Sequence, residues 1–334
     1  MGQSIQLPLT QPKLLPRLRE AIRVRHMSLK TEKAYVHWVR RYIFFHGRRH
    51  PKDLGAGEIT AFLNDLAVTR RVAASTQNQA LAALLFLYKV VLKMDLPWLE
   101  GIVRAKRPRR LPTVLTQQEV QAVLQKLDGT RWLLVSLLYG AGLRLQECLS
   151  LRVKDVGLVG SKLLVRDGKG GKDRVTLLPR SLKAPLAAHL EKVNALHAAD
   201  LARGFGEAPL PRALAGKYPK AGYLLGWQYV FPSSKHCTDP YTGRAVRYHV
   251  HEKTVQRTVQ QAVRRAGIVK PAGCHTFRHA FATHLLETGH NIRTVQELLG
   301  HKHVETIMIY THVMQHSLND VRSPVDLTGM VVRY

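Results

Sequence analysis

The chain has 334 residues, 45% of them hydrophobic, which is long enough for about two domains with separate cores and too apolar for intrinsic disorder. Its 51 lysines and arginines outnumber 23 acidic residues, and the formal charge of +28 points to a polyanion, most commonly nucleic acid. The 3 cysteines, Cys148, Cys237 and Cys274, form no CxxC pair, which excludes a disulfide scaffold or a cysteine zinc site and suits a reducing compartment.

No charged-then-apolar leader pattern opens the sequence, and Gln6 stands where myristoylation would want Ser or Thr. The longest apolar run, Ala80 to Tyr88, ends at Lys89 and is too short to span a bilayer, so no membrane partner is expected. In chain order, the first hundred residues read as a small helical domain. Leu15, Leu18 and Ile22 have helical spacing, with Arg17, Arg19, Arg23 and Arg25 expected outside. Tyr35, Trp38, Val39, Tyr42 and Ile43 repeat in the same way until Gly47. A third helix is predicted from about Glu58 through Val68 and a fourth from Ser75 to Leu92. Basic outer faces fit a DNA-gripping module, although periodicity alone is equally compatible with a generic bundle. Residues 104–112, RAKRPRRLP, hold five basic residues and two prolines with no acid, which predicts an extended basic linker.

Thr116-Gln117-Gln118-Glu119 is a capping-box pattern ahead of Val120, Val123, Leu124 and Leu127 at helical spacing. A more apolar helix over Arg131–Tyr139 breaks at Gly140-Ala141-Gly142, and Arg144 then opens another. An arginine at a helix N-terminus makes a good anion site, because free N–H groups and the dipole reinforce its charge. The run LLVRDGKGGKDRVTLLP predicts a β-hairpin around a glycine-rich turn carrying Lys169 and Lys172. It is no Walker loop, since no GK[ST] follows. From about 194 to 234 the composition shifts to Ala, Gly, Pro and aromatics. The pair His249 and His251 invites a metal reading, but no carboxylate stands at ligand spacing and nearby cations would repel a divalent ion.

The stretch from Gly273 to His312 carries the chemistry. His275 and Arg278 are three apart and share a helix face, with Phe277, Phe281, Leu285 and Leu286 forming the apolar side. A second helix holds Ile292, Val295, Leu298 and Leu299, stops at Gly300, and leaves His301 at its end. Tyr310 follows the apolar run Ile307-Met308-Ile309. Phosphoryl transfer needs positive charge on the phosphate oxygens, an in-line nucleophile and proton management. Arginine, tyrosine and histidine supply those three things.

The ordered set of Arg144 in GAGLRLQE, Lys169 in GKGGKDR, His275 and Arg278 in HTFRH, His301 in LLGH and Tyr310 in IYTHV resembles the tyrosine recombinases, and within them the integron integrases. The resemblance covers nearly the whole chain. It implies a mainly α fold with a small β-hairpin or sheet: a helical, SAM-like core-binding domain over 1–103, the linker at 104–112, and a catalytic domain over 113–334, closing as a C-shaped clamp on DNA. It assigns Tyr310 as nucleophile, Arg144 and Arg278 to the phosphate, and Lys169 as general acid, leaving Lys172 as either a phosphate contact or structural. His275 would assist deprotonation of Tyr310 and His301 would hydrogen-bond the phosphate, with no cofactor. The segment at about 194–234 matches the integron-type insertion that holds bases protruding from folded single-stranded sites. Lys217, Trp227, Pro240, Tyr248 and His249 fall at its implicated positions, with Tyr248 departing from the more usual histidine. The resemblance further implies action on both hairpin and duplex sites, gene-cassette exchange, a tail over 311–334 that supports a tetramer on DNA, and a bacterial, cytoplasmic setting. A strand-relaxing topoisomerase-like enzyme and a non-catalytic DNA-binding protein are the alternatives from other classes.

Overall fold

The computed structural model describes residues 13–94, 112–166 and 173–300. The chain divides into two compact units at Arg110/Leu111.

In the first unit α1 (Leu14–Val24), α2 (Leu29–Phe45), α3 (Ala56–Asn64) and α4 (Ala74–Phe86) surround one core. Each start has a local cause. Ser28 caps α2 by accepting from the Thr31 N–H, and Glu58 reaches back to the Gly55 N–H at the head of α3 at 2.7 Å. The last turns of α3 and α4 widen into π turns at 65–69 and 87–92, so the fourth helical stretch runs through to Leu92 as its periodicity predicts. Trp38, Val39 and Tyr42 from α2 pack against Ile59, Phe62, Leu84 and Tyr88. The Tyr42 and Tyr88 hydroxyls meet at 2.9 Å, and Tyr88 donates to the Pro51 carbonyl at 2.9 Å, satisfying phenols that burial would otherwise penalise. Arg17 differs from expectation. Rather than facing solvent, it turns back to donate to the Val91 carbonyl at 2.8 Å, capping the widened end of the fourth stretch.

The second unit begins with α5 (Gln117–Leu124), whose capping box is formed in both directions: Glu119 N–H to Thr116 Oγ1 at 3.1 Å and Thr116 N–H to Glu119 Oε2 at 2.8 Å. Next come the buried α6 (Gly129–Gly140) and the short α7 (Leu145–Ser150). The hairpin of β2 (Lys162–Val165) and β3 (Arg174–Leu177) is antiparallel, with Val165 opposite Arg174, and β1 (Val156–Gly157) extends it to three strands in the order β1-β2-β3. The long α8 (Lys183–Ala202) leads through α9 (Arg212–Lys217) to a small ribbon of β4 (Cys237–Thr238) and β5 (Ala245–Val246). Then follow α10 (Glu252–Arg265), α11 (Cys274–Glu287) and α12 (Ile292–Leu299). Leu133, Leu134, Leu137 and Leu138 of α6 sit at the centre of the main core, against Val259 of α10 and Phe277 of α11. Among the described residues no helix is long and apolar enough to cross a membrane.

The composition shift near 194 does not coincide with an element boundary. α8 runs through it to Ala202, because Ala-rich sequence is favourable helix and the shift registers alanine before it registers a loop. The irregular part begins at Arg203.

Gly142, between α6 and α7, has φ +61°, and a Cβ there would run into the Phe281 ring. Replacing it with Ala combines a left-handed backbone penalty with overpacking, so Gly142→Ala should lose about 2–4 kcal/mol of stability in urea unfolding. The same change at Gly204, which has positive φ but open surroundings, should cost only about 1 kcal/mol.

Candidate active site

Arg144 is the N-cap of α7 in extended conformation (φ −71°, ψ 152°), placed there by the turn at Ala141–Leu143. Its backbone N–H donates to Glu147 Oε2 at 2.8 Å and its guanidinium to Glu147 Oε1 at 2.6 Å. One carboxylate thus caps the helix and orients the arginine. The same carboxylate receives a two-point contact from Arg174 at the head of β3, at 2.8 and 2.7 Å, and lies 3.6 Å from a guanidinium nitrogen of Arg278 on α11. Arg278 is buried, 3% exposed, and its two terminal nitrogens donate to the carbonyls of Gly142 and Leu299. Arg144 keeps a 20% exposed side chain, so of these two guanidinium groups it is the more open to an incoming anion.

Charge explains the ionisation of the set. Burial of Glu147 opposes its charge, but hydrogen bonds and attraction from Arg174, then the bonds from Arg144, outweigh that and hold the carboxyl at about 2. His275, at the exposed start of α11, has its proton affinity lowered first by desolvation and then by Arg278 and Arg144, with Glu147 acting in the opposite sense. A neutral imidazole beside two guanidinium groups is a proton acceptor near neutral pH. His279, one turn further along α11, is pushed down to about 4, by burial first and then by His275 and Arg278.

The structure therefore brings together Arg144, His275 and Arg278. Lys169, His301 and Tyr310 lie outside the described residues. Sequence reasoning missed Glu147 and Arg174 as members of the site. The signal for Glu147 was present: it stands three residues after the N-cap Arg144, the spacing of a capping box with an unusual cap. Arg174 had no local signal, since its partners are brought by folding.

The five residues of the expected base-contact set separate into groups. Lys217 and Trp227 line one surface pocket of about 580 Å³ with Tyr218, Pro219 and Leu224. Trp227 is half-buried rather than freely exposed, and the Lys154 ammonium sits 2.9 Å from its ring centroid, occupying one face. Tyr248 is exposed with its ring 4.5 Å from that of half-buried His249, and both rings lie against Tyr229. Pro240 is exposed in the β4–β5 turn. His251 is occupied as the N-cap of α10, accepting from the Lys253 N–H at 3.1 Å, and His249 Nδ1 lies 2.8 Å from the Val250 carbonyl.

A helical bundle is thus followed by a helical unit that gathers two arginines, a histidine and a strand arginine around one carboxylate, a positive cluster suited to an anion such as phosphate. Residues 113–316 match the phage integrase family and residues 14–98 match the phage integrase N-terminal SAM-like domain. The chain belongs to the phage integrase family, whose members are tyrosine recombinases. It is 51% identical over 319 residues to an integrase/recombinase of Escherichia coli, covering 96% of this chain and 95% of that one, and equally similar to one from Pseudomonas aeruginosa. It is 32% identical to the tyrosine recombinase XerA of Thermococcus kodakarensis, over 90% of each chain. In fold it resembles a lambda integrase dimer bound to a core site, with a TM-score of 0.62 at 17% identity, covering 92% of this chain and 98% of that one. It also resembles the XerH recombinase bound to its difH substrate, with a TM-score of 0.58 at 20% identity, over 90% and 82% of the two chains.

The Glu147 carboxyl, depressed from an ordinary 4.5 to about 2, contributes stability that is fully present above the ordinary value and is lost as pH falls toward the folded one. Glu147→Gln should therefore cost about 3 kcal/mol or more at pH 7, where it leaves buried guanidinium groups without their counter-charge, and the deficit should shrink as pH falls through that window in urea unfolding.

Proposed function

We propose that the protein is an integron integrase that exchanges gene cassettes by cutting and rejoining DNA at specific sites. Arg144 and Arg278 hold the non-bridging oxygens of the scissile phosphate. The Tyr310 oxygen attacks phosphorus, the bond to the 5′ oxygen breaks, and a 3′-phosphotyrosyl enzyme and a free 5′ hydroxyl result. His275 takes up the tyrosine proton, Lys169 gives one to the leaving oxygen, and His301 hydrogen-bonds the phosphate. The 5′ hydroxyl of a second strand then reverses the attack. The phosphodiester energy is kept in the covalent link, so neither ATP nor a metal is required.

The observation that carries this reading is the meeting of Arg144 and Arg278 over one carboxylate beside His275. Arg278 reaches the Gly142 carbonyl 136 positions earlier in the chain, just before the helix that Arg144 caps. Two guanidinium groups, Arg144 held by the Glu147 carboxylate and Arg278 by backbone carbonyls, with more positive charge than Glu147 neutralises, suit a phosphodiester in its transition state.

The integron reading draws on the segment after α8. Its pocket of about 580 Å³ presents Trp227 and Lys217 together, and an aromatic ring with an adjacent cation suits a base turned out of a folded single strand. Tyr248 and His249 offer a second aromatic platform. On DNA the enzyme assembles as a tetramer, as a lambda integrase does on a Holliday junction, and it works in the bacterial cytoplasm.

The test is a denaturing gel, in EDTA, of protein with a labelled folded single-strand site or its duplex form, each carrying a trap for the covalent intermediate. A Tyr310-dependent adduct is expected on both. Tyr310→Phe should bind normally and give none; turnover by that variant would remove the mechanism. Trp227→Ala should lower adduct formation on the folded strand by about tenfold or more while leaving the duplex nearly unchanged, as loss of one stacked base requires. Equal loss on both, or none, would leave an ordinary duplex recombinase.

A further inference from the structure

Arg174 stands at the start of β3, the strand that follows the segment 167–172. Its side chain is 10% exposed, and it spends its donors on two separate pieces of the chain. Both terminal nitrogens bond the two oxygens of Glu147, at 2.8 and 2.7 Å. Its Nε donates to the Leu298 carbonyl at 2.9 Å, one of the last carbonyls of α12, which have no partner inside their own helix. The adjacent Leu299 carbonyl receives Arg278. Gly300, the left-handed C-cap of α12, lies directly against the Arg174 arm: a Cβ at Gly300 would come 2.6 Å from Arg174 Cδ.

Two arginines from different elements thus close the end of α12, and both also face Glu147. The charged groups around that carboxylate come from three elements: Arg144 from α7, Arg174 from β3, and Arg278 with His275 from α11. Of the arginines, Arg174 makes the fullest contact with the carboxylate and is fixed in the strand rather than at a helix end. The C-terminal dipole of α12 adds partial negative charge on the same side, which offsets some of the crowding of cations.

We infer that Arg174 is a positioning residue for strand cleavage. It locks the Glu147 carboxylate in the orientation that aims Arg144, and it ties that assembly to the end of α12, from which the chain continues into His301. It does not touch the phosphate; its geometry decides where groups that do so are held. The role needs the planar fork of an arginine, because a lysine ammonium supplies the charge but cannot bond both carboxylate oxygens and the Leu298 carbonyl together. This inference rests on the recombinase reading above.

The experiment uses the full chain with Arg174→Lys and Arg174→Gln, and the labelled strand or duplex that gives the Tyr310-dependent adduct with the unaltered protein. DNA binding is followed by gel shift, and single-turnover adduct formation is followed between about pH 5 and 8. Both variants are expected to bind within about threefold of the unaltered protein and to form adduct on the order of a hundredfold more slowly at pH 7, the scale of a small misplacement at a reacting centre. Arg174→Gln should also fall away at the acid end of the series, because Glu147 loses the partner that most favours its charge. Arg174→Lys, which keeps a cation there, should retain the original profile. Adduct formation within about threefold of normal in Arg174→Gln would overturn the inference. So would an equal loss in both variants at every pH, which would mark Arg174 as ordinary structural support. If Arg174→Gln does not fold, Arg174→Lys decides alone: a slower reaction with normal binding supports positioning, and a normal rate sinks it. No adduct from the unaltered protein on either DNA would remove the recombinase reading itself, and this inference with it.

Discussion

The carboxylate of Glu147 is shared by guanidinium groups from α7, β3 and α11, and three parts of the chain that fold locally meet at that point. Three cations around one anion would repel one another in a buried setting unless other groups absorbed the excess. Backbone does so here. Arg278 bonds the Gly142 and Leu299 carbonyls, Arg174 bonds the Leu298 carbonyl, and the C-terminus of α12 points its negative end toward both. Arg144 shares the same carboxylate but is the more open group, so the net positive charge of the cluster is presented there. A site arranged in this way is held together by opposed charges yet stays electropositive toward its substrate.

The large basic excess of the sequence therefore has two meanings. Some of it is a surface that attracts a polyanion. Another part is turned inward: Arg278, Arg247 and Arg152 are buried, Arg174 nearly so, and half-buried Arg17 turns to a carbonyl. Each is satisfied by carbonyls, a carboxylate or both, as burial of a charge demands. A count of lysines and arginines sees no difference between these uses.

The same limit explains what could be read beforehand. The capping box of α5, the break after Gly140 and the helix that places Arg144 all depend on neighbours a few residues apart, and each appears where its pattern predicts. The hairpin around residues 167–172 was visible from its β-prone flanks and glycines. Glu147 carried a local signal, its capping-box spacing from Arg144, whereas Arg174 was silent, because its partners lie far along the chain. Trp227 was placed among the base-contact positions by resemblance alone. Its partial cover by Lys154 depends on how the segment after α8 folds back onto residues 152–155, which no local pattern encodes.

That fold-back is made largely through the main chain. Arg152, stacked on Tyr229, donates to the carbonyls of Trp227 and Pro209. The Gln228 amide gathers the carbonyls of Gly206 and Gly222, and Arg247 joins the Ser233 carbonyl to Asp200 of α8. Carbonyl acceptors are present whatever side chain a residue carries. The attachment is consequently blind to the identity of many residues it fastens, and the outward side chains of the segment are free to be exchanged while its seat on the protein stays the same. The outward surface of the segment and the scaffold that bears it are thereby separable, so that one can drift without dismantling the other.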